Sequence, residues 1–142
     1  MKNQFTGRVS AEINAETHKV WDALTNPELI RQYFFGTNAV SDWKVGSPLY
    51  FRGTWEGKSY EDKGTILQSE PGKIFKYNYW SSMSGIEDKP ENYVDVSYVL
   101  ESKGKKTQLT IIQENIPSDE MRKHSETNWG MVIDGLKKVV EK

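Results

Sequence analysis

Phe5, Gly7, Val9, Ala11 and Ile13 alternate with Thr6, Arg8, Ser10 and Glu12. A period of two predicts a strand with one buried face. After Asn14 and Ala15 the spacing changes. Val20, Trp21 and Leu24 fall on one stripe of a helix running over 16–25. Asn26-Pro27-Glu28 then reads as a new helix start: a capping side chain, a proline at the first helical position and an acid at the positive end of the dipole. This second helix carries Leu29, Ile30, Tyr33 and Phe34 and stops at Gly36.

From 37 to 115 the pattern is one of strands and turns. Turn signals stand at 45–48, 56–58, 70–72, 85–92 and 102–106. Between them, Leu49, Phe51, Gly53 and Trp55 share a face, as do Phe75, Tyr77 and Tyr79, then Val94, Val96, Tyr98 and Leu100, then Leu109 and Ile111. Short turns between successive strands predict an antiparallel meander of about six strands. The long polar connection over 81–92 reads as a mobile loop. Ser118, Asp119 and Glu120 open a last helix that runs to the C-terminus. Its apolar face is Met121, Ser125, Trp129, Val132, Ile133, Leu136, Val139 and Val140, with Asp134, Lys137, Lys138 and Glu141 on the wet side. Gly130 and Gly135 are costly inside a helix and tolerable where something must approach closely.

These elements predict an α+β fold. The first strand joins the meander in a curved antiparallel sheet of about seven strands, wrapped on the long C-terminal helix, with two short helices after the first strand. A helix laid across a curled sheet leaves a gap for aromatic side chains to fill or to line. Tyr33, Phe34 and Phe35 are expected to close one end of it. The expected ligand-binding wall is Tyr33, Phe34, Phe51, Trp55, Tyr77, Tyr79, Tyr98, Trp129 and Ile133.

The segments VWDALTNPELIRQYF, DWKVGSPLYF and NWGMVIDGLKKVVE resemble, in order and spacing, the activator-of-heat-shock-chaperone-ATPase-like (AHSA-type) family. That family belongs to the START-like, polyketide-cyclase-like (SRPBCC) superfamily. The resemblance spans essentially the whole chain and implies a helix-grip fold with a hydrophobic cavity between sheet and last helix. It brings no catalytic motif. Chaperone activators of the family carry a further N-terminal domain, which a chain starting at the first strand is expected to lack.

Composition narrows the functional classes. A chain of 142 residues is expected to form a single domain over 1–142, and one of this size buries roughly 68–70% of its unfolded surface. Five Trp and seven Tyr make the core ring-rich. A net charge of −1 without a basic stripe argues against nucleic acid. The absence of cysteine removes disulfides, thiol catalysis and zinc–thiolate sites. No apolar run follows Lys2 as in a signal peptide, and none reaches membrane-spanning length, so the expected location is cytoplasmic.

Candidate chemistry is sparse. His18 and His124 read as surface residues, the latter paired with Glu120. Neither has metal-ligand spacing, and no metal or cofactor is expected. Ser81, Ser82 and Ser84 lack a nucleophile elbow. Gly53, Gly57 and Gly64 punctuate strands, Asp42, Asp62 and Asp95 are expected in solvent, and Arg31 is expected on the surface with its stem on the lid. The leading expectation is therefore a binding module for a small hydrophobic, lipid- or polyketide-like molecule. A cavity enzyme of cyclase or hydrolase type is the second, requiring a carboxylate beside a tyrosine in the pocket. A co-chaperone that stimulates a heat-shock chaperone ATPase is the third.

Overall fold

The first strand, β1 (Phe5–Ile13), keeps its predicted alternation: Gly7 and Ile13 are buried, Val9 and Ala11 partly so, and the residues between them are exposed. Phe5 departs from it at 38% exposure, beside a register shift between Phe5 and Gly7. Helix α1 (Thr17–Thr25) buries Val20, Ala23 and Leu24, and half-buried Trp21 meets Phe75 edge-on at 6.1 Å. Asn26 ends α1 and caps α2 (Pro27–Tyr33), its Oδ1 accepting the Glu28 backbone N–H at 3.0 Å. The computed structural model describes residues 5–34, 36–81 and 87–141, with the Trp55 side chain excluded. Phe35 and residues 82–86 of the predicted mobile loop, Ser82 and Ser84 among them, therefore lie outside the described residues. The loop's last part forms a 3-10 turn over Pro90–Asn92.

Six further strands follow: β2 (Asn38–Val40), β3 (Pro48–Trp55), β4 (Lys58–Glu70), β5 (Ile74–Tyr79), β6 (Val94–Lys103) and β7 (Lys106–Ile116). They form one seven-stranded sheet in the order β1-β7-β6-β5-β4-β3-β2, every neighbour antiparallel. β1 thus joins the meander as expected, and its neighbour is the last strand, β7. The register between β4 and β5 slips between Ile66 and Gln68. Ile66 is fully buried, whereas Leu67 is 41% exposed. At Gly64 the β5 backbone comes so close that a Cβ would stand 1.7 Å from the Asn78 carbonyl oxygen, so only glycine fits. Such irregularities bend the sheet.

Helix α3 (Asp119–Val140) is capped by Ser118, whose Oγ accepts from the Met121 N–H at 3.2 Å. It packs on β1 and β7 and against α1 and α2. Its two halves differ. Val132, Ile133, Leu136 and Val140 are buried, whereas Ser125 and Trp129 are only partly so and Met121 is 45% exposed. Met121 was expected on the buried face, but it lies at the cavity mouth, one turn before the point where Glu126 accepts the Arg8 N–H of β1 at 3.0 Å. Such an approach is present at Gly135, where a Cβ would lie 3.1 Å from Tyr33 Cβ and 3.3 Å from Tyr33 O. At Gly130 there is none, since nothing would lie within 4 Å of a Cβ.

Candidate functional site: a ring-walled cavity under the long helix

Phe34, just after α2, is the joint between the two halves of the interior. Its ring stacks on Phe51 of β3 at 5.8 Å and meets Trp129 of α3 edge-on at 6.0 Å. Phe51 touches Tyr77 and Tyr79 of β5, each at 5.8 Å, and Trp129 touches Tyr98 of β6 at 5.9 Å. On one side of this partition Leu24, Ile30, Tyr33, Leu49, Phe75 and Tyr98 close around a pocket of about 10 Å³. On the other side a cavity of about 1040 Å³ lies between the concave sheet face and the N-terminal half of α3. Ligand pockets typically run to roughly 300–1,000 Å³.

The inner wall is Phe34, Phe51, Tyr60, Tyr77, Tyr79, Val96, Trp129 and Val132; the mouth carries exposed Glu120, Met121, Lys123, His124 and Met131. Polar groups enter at three places. Gln113 Oε1 of β7 accepts from Trp129 Nε1 at 2.7 Å and from Ser125 Oγ at 2.9 Å, tying helix to sheet beside the cavity. The Thr37 and Tyr60 hydroxyls pair at 2.5 Å. Tyr79 donates its hydroxyl to Asp62 Oδ2 at 2.5 Å, a charge-assisted bond.

Asp62 overturns the expectation of a solvated carboxylate: it is 8% exposed and lines the cavity. Parity explains this. Asp62, Gly64 and Ile66 are the buried positions of β4, and Asp62 stands opposite Phe51. An inward Ile66 therefore requires an inward Asp62, a signal that was present in the sequence and masked by the usual habit of carboxylates.

Burial pushes the hydroxyl pKa of Tyr33, Tyr77 and Tyr98 upward, and of Tyr79 too, where the Asp62 charge adds to it. A tyrosinate is disfavoured where water cannot solvate it. These residues are neutral hydrogen-bond donors, not bases. Each is partnered: Tyr33 donates to the Ala23 carbonyl at 2.7 Å, and the Tyr77 and Tyr98 hydroxyls meet at 2.7 Å. Among the described residues no buried polar side-chain atom lacks a partner, and no acid or histidine cluster could hold a metal.

Of the residues expected to form the wall, Phe34, Phe51, Tyr77, Tyr79 and Trp129 come together there. Tyr33 and Tyr98 lie behind the partition, in the packed half. Ile133 is 3% exposed and belongs to the core; Val132 takes the cavity-facing position. Helix rotation is set by the Tyr33–Gly135 contact, which the apolar stripe alone does not encode. For Trp55 only the backbone is described, at the end of β3. Tyr60, Thr37, Gln113 and Asp62 were not anticipated. Arg31 is at the surface as expected, paired with Glu28 at 2.6 Å. His18 is exposed beside Glu16, while His124 sits at the cavity mouth, with no ion pair to Glu120 among the described residues.

Residues 14–141 match the family described as Activator of Hsp90 ATPase homolog 1-like protein. The chain belongs to that family. This AHSA1-like chain is 45% identical to ChR145 from Cytophaga hutchinsonii, whose solution structure superposes with a TM-score of 0.86 over 99% of this chain and 97% of that one. Two more distant structures share the fold. The Aha1 dimer from Colwellia psychrerythraea is 19% identical with a TM-score of 0.74, covering 96% of each chain. CalU16 from Micromonospora echinospora is 21% identical with a TM-score of 0.74, covering 99% of this chain and 86% of that one. No curated protein matches. The AHSA1-like helix-grip architecture is thus established, and among the described residues no helix is long and apolar enough to cross a membrane.

Proposed function

We propose that this chain is a single-domain cytoplasmic binding protein that holds a small, mostly apolar molecule in the cavity under α3. The supporting observation is the cavity itself, about 1040 Å³ and ring-walled, in a chain whose other half packs nearly solid. A guest burying ~300 Å² of apolar surface would gain about 7.5 kcal/mol gross. Association costs of ~4–15 kcal/mol set against it make a preformed wall decisive. The ring contacts of the partition support one: Phe34 packs against both Phe51 and Trp129. Native mass spectrometry of protein purified from its own host tests the reading. A co-purifying apolar molecule is the expected result. Protein that arrives empty and binds none of a panel of lipids and polycyclic aromatics refutes it.

A second reading, a cavity enzyme, draws on the Asp62–Tyr79 pair, a buried carboxylate beside a tyrosine hydroxyl. With Tyr79 held neutral, the pair would serve to hold or pass a proton at a guest's polar end. Incubating the purified protein with its own guest separates the two: recovery of the guest unchanged favours binding, and a changed mass favours turnover. The family's name also raises contact with Hsp90. A pull-down with the host's Hsp90 tests that contact, and no retention leaves the binding module ahead.

A further inference from the structure

Gln113 ties the sheet to α3 through its side-chain oxygen, and we infer that its amide nitrogen receives a neutral carbonyl oxygen of the cavity's guest. This deepens the binding reading and rests on it. The Trp129 indole nitrogen can only donate a hydrogen bond. The Gln113 atom 2.7 Å from it is therefore the amide oxygen, and the NH2 group is turned elsewhere. The same oxygen accepts from Ser125 Oγ at 2.9 Å. Among the described residues Nε2 of this half-buried side chain has no hydrogen-bond partner, and no buried polar side-chain atom is unpaired, so Nε2 is an accessible donor.

The neighbours across the strands show where that donor opens. On the β1 side stands Gly7, and α3 fills the space above it: a Cβ there would lie 3.4 Å from Glu126 Cγ and 3.7 Å from Ser125 Oγ. On the β6 side stands Val96, which lines the cavity together with Gln113. The donor is thus offered to the cavity. Two bonds to α3 fix the amide's orientation, and a preorganised donor costs less to use.

The chemistry of the amide selects the guest's oxygen. An NH2 group donates and does not accept. The Gln113 oxygen has two lone pairs, and Trp129 and Ser125 occupy them. A guest hydroxyl would accept from Nε2, but Gln113 has no acceptor left for the hydroxyl's own proton. An ammonium group brings donors only. A carboxylate accepts, but its charge is expensive beside Phe34, Val96, Trp129 and Val132. A ketone or ester carbonyl accepts and leaves no proton over, and the ring walls take the apolar remainder.

Acetylnaphthalene, isopropenylnaphthalene and naphthylethanol, each substituted at the same ring position, test the assignment. They present a ketone, an alkene and an alcohol in nearly one shape. Calorimetry should find the ketone bound about ten-fold more tightly than the alcohol by the wild-type protein. Gln113→Glu, assayed above neutral pH, keeps an oxygen for Trp129 and Ser125 and removes the donor, whereas Gln113→Met removes the whole amide. In each variant the ketone should weaken by about ten-fold relative to the alkene, which reads any change in cavity shape. If neither variant folds, amide-proton NMR of the wild-type protein decides: the Gln113 side-chain signals should move further with the ketone than with the alkene. Equal movement, a ketone-to-alkene ratio unchanged within about two-fold in the variants, or an alcohol bound as tightly as the ketone overturns the carbonyl assignment and leaves the cavity reading standing. No binding of any of the three overturns both.

Discussion

Tyr77 and Tyr98 are 2% and 5% exposed, and their hydroxyls, 2.7 Å apart, meet in the core. Their rings stand edge-to-face at 5.6 Å. Replacing either with phenylalanine keeps the ring and leaves the other hydroxyl buried without this partner. The cost of such an orphan is about 1–3 kcal/mol. Added independently, the two single substitutions would cost roughly 2–6 kcal/mol. Replacing both removes both polar groups while keeping the shape, which is nearly neutral. The double variant Tyr77→Phe/Tyr98→Phe should therefore be no less stable than the worse single, and a nearly neutral double corresponds to a coupling of roughly 2–6 kcal/mol. Urea denaturation followed by circular dichroism, on all four proteins of the cycle, measures this. Additivity within about 0.5 kcal/mol would show that the hydroxyls do not depend on each other, and the packed-side account of Tyr98 would fail.

Gly130→Ala should stabilise the fold by about 0.5–1 kcal/mol, because α3 gains propensity and the new methyl meets nothing. Gly135→Ala should lose that gain against the Tyr33 backbone and come out neutral or destabilising; thermal melts of the pair read the difference. Trp129→Ala should lower stability by roughly 2–3 kcal/mol, below the ~3–5 of a fully buried ring, and weaken any guest, since the indole is half-buried at the cavity wall and bonded to Gln113; an unchanged melting temperature would count against this placement. The hydroxyl pKa of Tyr33, Tyr77 and Tyr98 is raised on folding, so the folded state keeps protons that the unfolded state releases. Their contribution is complete below the unfolded value near 10 and declines as pH rises above it, by up to about 1.4 kcal/mol per pH unit for each group. A tyrosinate titration should show these three ionising only on unfolding. Smooth titration of all seven tyrosines in a folded protein would contradict it.

Local periodicity was enough to order the elements: alternation in β1, the Asn26-Pro27 break between two helices, the Ser118 cap and the turns between strands are all readable over a few residues. That β1 joins the meander also followed, since a strand's backbone groups need a partner, but its place beside β7 did not. The inward set on β4 was legible in principle from Ile66 through Gly64 to Asp62, yet the polarity of aspartate argued the other way. What tertiary structure alone decided is which rings pack and which line a space. Tyr98 and Phe51 carry the same kind of pattern, but one stands behind the Phe34 partition and the other faces the cavity. That division depends on the distance and rotation of α3 over the sheet, which the Tyr33–Gly135 approach sets at one end and the bend of the sheet sets at the other. Pattern records the side of an element a residue occupies. The gap between two elements is a property of their packing, and it carries no period of its own.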